Sequence, residues 1–323
     1  MTTVPRRRIG TTGPEVSVLS MGSWHIYDRM PFQEAVAMLR RAADAGITLF
    51  DAAYYGGFTI DGNTIPESYT DIIFGRAMAV AGIPREDWKF SAKLWLQGFP
   101  EVSFESQLDH LLPRVGIEHA DFAILGDLFG TEPDMAVLTG ALGELIAKGK
   151  LGGWGVNNWS VEHIRAAHRA ATAQGVPGPQ MAQLKYSVVR RSIPDGAPFR
   201  ALAEEIGITI QASDVFEGGI LAGKLTPDRM IGRDPGGIRD QVAAAAVRLQ
   251  EIAQRYDATA AQAGIAFCLA DPLTTTVLFG TSRLAQLEAN LGAVELAARH
   301  GAEIREAVAD LWLDKDVVDP FGH

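Results

Sequence analysis

Cysteine is almost absent from this chain: Cys268 is the only one in 323 residues. One thiol excludes an intramolecular disulfide and any cysteine-rich metal site, and it suits a reducing compartment. Long apolar runs are missing too, and none reaches the ~20 residues that a membrane-spanning helix needs. Basic residues are outnumbered, with 29 Lys and Arg against 39 Asp and Glu, for a formal net charge of −10. No run of Lys or Arg is interleaved with aromatics, so nucleic-acid recognition is not expected, and Arg6-Arg7-Arg8 reads as a solvated terminus. The polar opening Met1-Thr2-Thr3-Val4-Pro5 carries no export signal. These absences predict a cytoplasmic protein that acts on a small molecule, without nucleic acid or membrane as a partner, and leave its oligomeric state open.

Apolar residues make up 47% of the chain, ample for a sizeable core. From Val16 onward, short apolar runs alternate with amphipathic stretches of helical period, the pattern of repeated βα units. Eight strands are expected, over residues 16–21, 47–51, 88–93, 121–126, 153–157, 180–183, 208–212 and 275–280. Gly46, Gly152 and Gly207 precede three of them as helix stops. Inward stripes are expected at Phe32, Val36, Leu39 and Ala43, and at Leu138, Leu142, Leu145 and Ile146. The fold class that follows is α/β, a (β/α)8 TIM barrel forming one domain over residues 1–323, whose chemistry sits at the carboxyl ends of the strands. Two long segments, 56–68 and 213–237, are expected as loops at that face.

The most informative stretch is Leu49-Phe50-Asp51-Ala52-Ala53-Tyr54-Tyr55-Gly56-Gly57, a buried strand that ends on an acid and then offers two phenols. Lys93 closes the next strand at Ser91-Ala92-Lys93. A phenol has a pKa near ~10 and is a poor acid at neutral pH unless a cation stabilises its phenolate. Lys93 is the expected cation, Asp51 keeps it charged and aimed, and the phenol then protonates an oxygen that develops negative charge.

With those residues in order, the chain resembles the aldo-keto reductase superfamily. The resemblance runs from about Arg8 to Asn290 through the Arg8-Ile9-Gly10 to Val16-Ser17 hairpin, Gly22-Ser23-Trp24, the acid-to-tyrosine turn, the strand-ending lysine, Gly155-Val156-Asn157-Asn158, Gln183 and the segment from Gly280 to Asn290. It implies a barrel that binds NADPH (NADP+ when oxidised) without a Rossmann domain and that uses a tetrad of Asp, Tyr, Lys and His. Asp51 and Lys93 match. Tyr55, which directly precedes a glycine, is the expected proton donor, with Tyr54 as the alternative. At the histidine position stands Gly126, which makes room for a bulky substrate or a water, pairs with a replacement donor, or marks a barrel that binds nucleotide without turnover. His25 is the replacement candidate.

Asn157, Asn158 and Gln183 are amides at strand ends, suited to a nicotinamide carboxamide that needs donors and acceptors. The resemblance assigns Ser282 and Arg283 to a 2′-phosphate, Gln286 and Asn290 to adenine, and Lys224 to the nucleotide as well. Asp214 and Glu217 are expected to bring negative charge toward the pyrophosphate. Substrate contacts are expected from Trp24, His25, Tyr54, Trp95 and Gly126, with Tyr27 and Trp159 nearby, which favours a hydrophobic small molecule. The resulting expectation is an NADPH-dependent oxidoreductase acting on a ketone, imine or conjugated double bond. The competing readings are a nucleotide-binding regulatory or non-catalytic barrel, and a lyase or isomerase built on Tyr and Lys.

Overall fold

The computed structural model describes residues 3–56, 59–60, 63–64, 67–226 and 233–322. Eight parallel strands close into a barrel: β1 (Leu19–Gly22), β2 (Leu49–Ala52), β3 (Lys89–Leu94), β4 (Phe122–Leu125), β5 (Trp154–Asn157), β6 (Met181–Lys185), β7 (Thr209–Ser213) and β8 (Thr274–Phe279). The connections are helical: α1 (Phe32–Asp44), α2 (Thr70–Ala81), α3 (Phe104–Val115), α4 (Met135–Ala147), α5 (Val161–Gln174), α6 (Ala197–Ile206), the pair α7 (Arg239–Gln254) and α8 (Ala260–Leu269) before β8, and α9 (Leu284–Leu291) and α10 (Ala293–Ala307) after it. This is the expected (β/α)8 barrel. Parts of both long loops, residues 57–58, 61–62, 65–66 and 227–232, lie outside the described residues.

An antiparallel hairpin, Arg6–Arg8 with Glu15–Ser17, sits at the amino-terminal end of the barrel. It takes Val16 out of the first expected strand, which starts at Leu19 instead. Ile9 and Val16 join Leu49, Phe122, Ile124 and Met181 in one buried cluster, so the hairpin plugs the floor. Arg7 is not solvated as expected: its guanidinium donates to the carbonyls of Leu269 (3.0 Å) and Thr274 (2.5 Å). A cation there satisfies the open carbonyl end of α8.

Local chemistry sets the helix ends. Ser103, Asp134, Ser160 and Thr259 accept backbone N–H bonds at the starts of α3, α4, α5 and α8. Gly207 adopts φ +71° after α6, the left-handed turn expected of a helix stop. Gly152 has another cause, because α4 has already ended at Ala147 and a Cβ at Gly152 would lie 2.4 Å from the Asp121 carbonyl oxygen. The inward face of α1 is Ala35, Met38, Leu39 and Ala42, one position off the expected stripe, and leaves Phe32 exposed. On α4 the stripe is Leu138, Thr139, Leu142 and Leu145, close to expectation.

Candidate active site

Strand register builds the site from the bottom of the cleft upward. Asp51 at the end of β2 stands opposite Gly22 of β1 and Ser91 of β3. Asn157, Gln183 and Gln211 form one row across β5, β6 and β7. Lys93 donates to Asn157 Oδ1 at 3.0 Å and to Gln183 Oε1. Gln183 donates onward to Gln211 at 2.7 Å, and Gln211 to Ser20 at 3.3 Å. A buried chain of amides therefore runs from the ammonium to β1. Gln211 went unnoticed in the sequence, although a glutamine within the apolar run of β7 is the kind of residue that must find a buried partner.

Asp51 acts on Lys93 through its field rather than as a bonded partner. Its carboxylate is buried, and Oδ2 has no hydrogen-bond partner among the described residues. Burial pushes this carboxyl up, against the pull of Lys93. Burial likewise pulls the Lys93 ammonium down, against Asp51, Asp127 and Asp214.

Tyr55 is 5% exposed and packs edge-on against Trp24, with ring centroids 4.3 Å apart, and against Trp95 at 5.8 Å. Burial first and the Asp51 charge second hold its phenol well above the ordinary tyrosine pKa. That reverses the expectation that Lys93 would bring the phenol down. The phenol stays protonated through neutral pH. Tyr54 turns the other way, its ring against His110 at 4.7 Å and under the Arg114 guanidinium at 4.8 Å, and Arg114 forks onto the buried Asp71. Tyr54 therefore does not line the cavity; of the two phenols, only Tyr55 does.

Gly126 differs from every expectation of open space. A Cβ there would lie 2.9 Å from Cε3 of Trp95, and Trp159 donates to the Gly126 carbonyl at 2.8 Å. The Trp95 indole fills the volume into which a side chain from this position would project, so no room for substrate or water remains behind it. Trp95 lines the cavity and Gly126 does not. Trp24 and His25 line it as expected, their rings 4.5 Å apart, whereas Tyr27 is buried against Phe74 and Trp159 lies behind Gly126.

Asp127, which side-chain alternation points away from Gly126 unless the strand has already ended, also lines the cavity. The strand ends at Leu125, and the carboxylate faces the cavity. It accepts from Asn157 Nδ2 and from Asn158 Nδ2, the latter at 3.2 Å. Asp214 and Glu217 do not project bare charge toward a pyrophosphate. Lys185 pairs with Asp214, and the buried Arg190 pairs with Glu217 at 2.9 Å and Asp234 at 2.5 Å.

One cavity of about 1390 Å³ joins this cluster to the start of α9. It is larger than the ~300–1,000 Å³ of ordinary small-ligand sites. Asp51, Tyr55, Lys93, Asn157, Asn158 and Gln183 line one end; Ser282, Arg283, Gln286 and Asn290 line the other, with Lys224 also on the wall. Arg283 occupies the N-cap position of α9, and its guanidinium makes no ion pair among the described residues. Ser282 N–H donates to Gln286 Oε1 at 3.2 Å. An unpaired guanidinium at a helix N-terminus, a long cleft and an amide row fit an extended dinucleotide, with space for a second molecule. A carboxamide entering the row would exchange partners with Lys93, Asp127 and Gln211. Among the described residues no group of three or more His, Cys, Asp or Glu is placed to hold a metal, and no helix is long and apolar enough to cross a membrane.

The aldo/keto reductase family matches residues 18–309. The chain belongs to that family. Members use nicotinamide cofactors, and membership supports an NAD(P)-dependent oxidoreductase. Among curated relatives, the protein described as "Probable voltage-gated potassium channel subunit beta" of Arabidopsis thaliana is 25% identical, the match covering 90% of this chain and 91% of the relative. A second, described as "Putative voltage-gated potassium channel subunit beta" of Schizosaccharomyces pombe, is also 25% identical, over 95% of this chain and 93% of the relative. A solved structure of a "putative 2,5-diketo-D-gluconic acid reductase B" superposes with a TM-score of 0.66 at 23% identity, covering 90% of this chain and 88% of the other, and shares the fold.

Proposed function

We propose that this aldo/keto reductase is an NADPH-dependent enzyme that reduces a ketone, imine or conjugated double bond of a hydrophobic small molecule, with Tyr55 as proton donor. The observation that carries the reading is the single cavity that joins Asp51, Tyr55 and Lys93 to Ser282, Arg283, Gln286 and Asn290. When bound, the nicotinamide supplies a hydride. The chain's own residues do the rest. Asn157, Asn158 and Gln183 orient the carboxamide, Ser282 and Arg283 hold the 2′-phosphate at the start of α9, and Gln286 and Asn290 face the adenine.

Trp24, Trp95 and His25 wall the substrate end. Hydride addition to a carbonyl leaves an alkoxide nearly as basic as hydroxide, far more basic than a phenolate. Even a phenol held high by burial gives up its proton to such an oxygen. Lys93, on the wall of the same cavity, is the cation available to the phenolate once the proton has left, and Asp51 favours its ionised form. Losing one oxyanion donor costs on the order of 100 to 1,000-fold in rate, and the indole at the Gly126 position supplies no replacement on that side. This weights the reading toward imines, conjugated bonds and unusual ketones over simple aldehydes. The single buried thiol and the acidic net charge support a cytoplasmic protein with a small molecule as its partner.

A second reading, a nucleotide-binding regulatory barrel, has in its favour that both curated relatives are named as channel β subunits. Against it stand the acid, phenol and lysine gathered in one cavity, which a binding module does not need. The nucleotide assignment is tested by Arg283→Ala. Removing a charge-assisted phosphate contact costs roughly 10 to 100-fold in affinity, so NADPH binding should fall by that factor while NADH binding stays within about threefold. Equal losses for both would remove the 2′-phosphate role.

A further inference from the structure

Asp127 has no part in the mechanism above, yet it is built into the amide cluster. Its side chain is 14% exposed and lines both the main cavity and a neighbouring one of about 380 Å³. Its two oxygens accept from the amides of Asn157 and Asn158. A carboxylate can only accept, so it fixes both amides with NH2 turned toward it. Their carbonyl oxygens are thereby aimed elsewhere: Asn157 Oδ1 at Lys93 Nζ, 3.0 Å away, and Asn158 Oδ1 at the Lys185 N–H, also 3.0 Å away. The opposing cation Arg233 is 3.9 Å away, and its side chain is 45% exposed. Burial pushes the Asp127 carboxyl above its ordinary range, while Lys93, the Asn158 amide, Arg233 and Lys185 each pull it back toward the ionised form.

We infer that Asp127 makes the bound nicotinamide a stronger hydride donor, by holding negative charge against the amides that receive the ring. The inference rests on the nucleotide reading above. An oxidised nicotinamide ring is cationic and a reduced one is neutral, so an adjacent carboxylate favours the oxidised form. By linkage, the ratio of the two affinities equals the change in reducing power on the protein, and a tenfold ratio corresponds to about 30 mV for a two-electron couple. A more reducing nucleotide partly offsets the donor missing at Gly126. Asp127 is on this account a positioning and electrostatic residue rather than one that touches the reacting atoms.

The test is equilibrium titration of the purified protein and its variants with NADP+ and NADPH, without substrate. Asp127→Asn keeps the shape and removes the charge. It should shift the affinity ratio roughly tenfold toward NADPH, while Asp127→Glu holds the ratio within about twofold. Arg233→Gln, which removes the opposing cation and tests the same field without altering Asp127, should shift the ratio severalfold toward NADP+. An equal loss for both nucleotides in Asp127→Asn would mean a merely structural role and would overturn the inference. So would an unchanged ratio in Arg233→Gln, which decides the matter should Asp127→Asn fail to fold. Failure of the unmodified protein to bind either nucleotide would overturn this inference together with the reading beneath it, whereas binding with an unmoved ratio overturns the inference alone.

Discussion

Replacing Tyr55 with phenylalanine is expected to lower turnover by about 10² to 10⁴-fold, the usual worth of a positioned general acid, while nucleotide affinity stays within a few-fold. The ring's surroundings explain why the two effects separate. Trp24 and Trp95 contact the faces and edges of Tyr55, and a phenylalanine ring preserves both contacts. Only the proton is lost. Because burial and Asp51 hold the phenol well above its ordinary pKa, the acid form persists through neutral pH. The reduction rate should therefore stay flat across that range and fall only on the alkaline side. Steady-state kinetics beside a nucleotide titration checks both halves, and unchanged turnover in Tyr55→Phe would remove the donor assignment.

Arg190→Met should destabilise the fold by about 3–5 kcal/mol, the cost of stranding a buried charge when its partner is removed. Arg190 is 2% exposed and contacts both oxygens of Glu217, at 3.0 and 2.9 Å, besides Asp234 and the Pro235 carbonyl. Glu217 is itself buried, in a left-handed conformation at φ +47° beside the Gly218-Gly219 bend. Burial pushes its carboxyl up even with the guanidinium in place. A carboxyl whose folded pKa exceeds its unfolded value contributes stability that is full below the unfolded pKa and is lost as pH rises through the folded one. The deficit of Arg190→Met should thus be smaller at acidic than at alkaline pH. Urea unfolding at two pH values measures this, and Glu217→Gln combined with Arg190→Met should recover part of the loss. A deficit under about 1 kcal/mol at both pH values would mean that the pair is not desolvated as described.

The barrel was legible because its signals are local and periodic. Asp51, Lys93 and Gln183 each end an apolar run, and strand ends at the carboxyl face meet at one mouth. Arg283 was legible for another reason, since a cation at a helix start opposes the helix dipole and needs a partner. What escaped detection depended on where a strand stops or on contacts far apart in the chain. Asp127 follows β4 by two residues, so its direction turns on whether the strand has already ended, as it does at Leu125, and the sequence alone does not fix that end. Gly126 is explained by the ring of Trp95, which follows the end of β3. The pairing of Glu217 with Arg190 joins the loop after β7 to the loop after β6, and no local pattern announces it. Tyr54 and Tyr55 are adjacent and chemically alike, so only the packing of Tyr54 on α3 separates them.

The account's central claim is that the cavity holds a nicotinamide nucleotide against Tyr55 and Lys93. The most direct measurement is a titration of the unmodified protein with NADPH and NADH that follows energy transfer from tryptophan to the reduced ring, since Trp24 and Trp95 line that end of the cavity. Saturable binding with NADPH the tighter of the two is the predicted result. Binding of neither nucleotide would contradict the hydride mechanism and bring the lyase and isomerase readings forward.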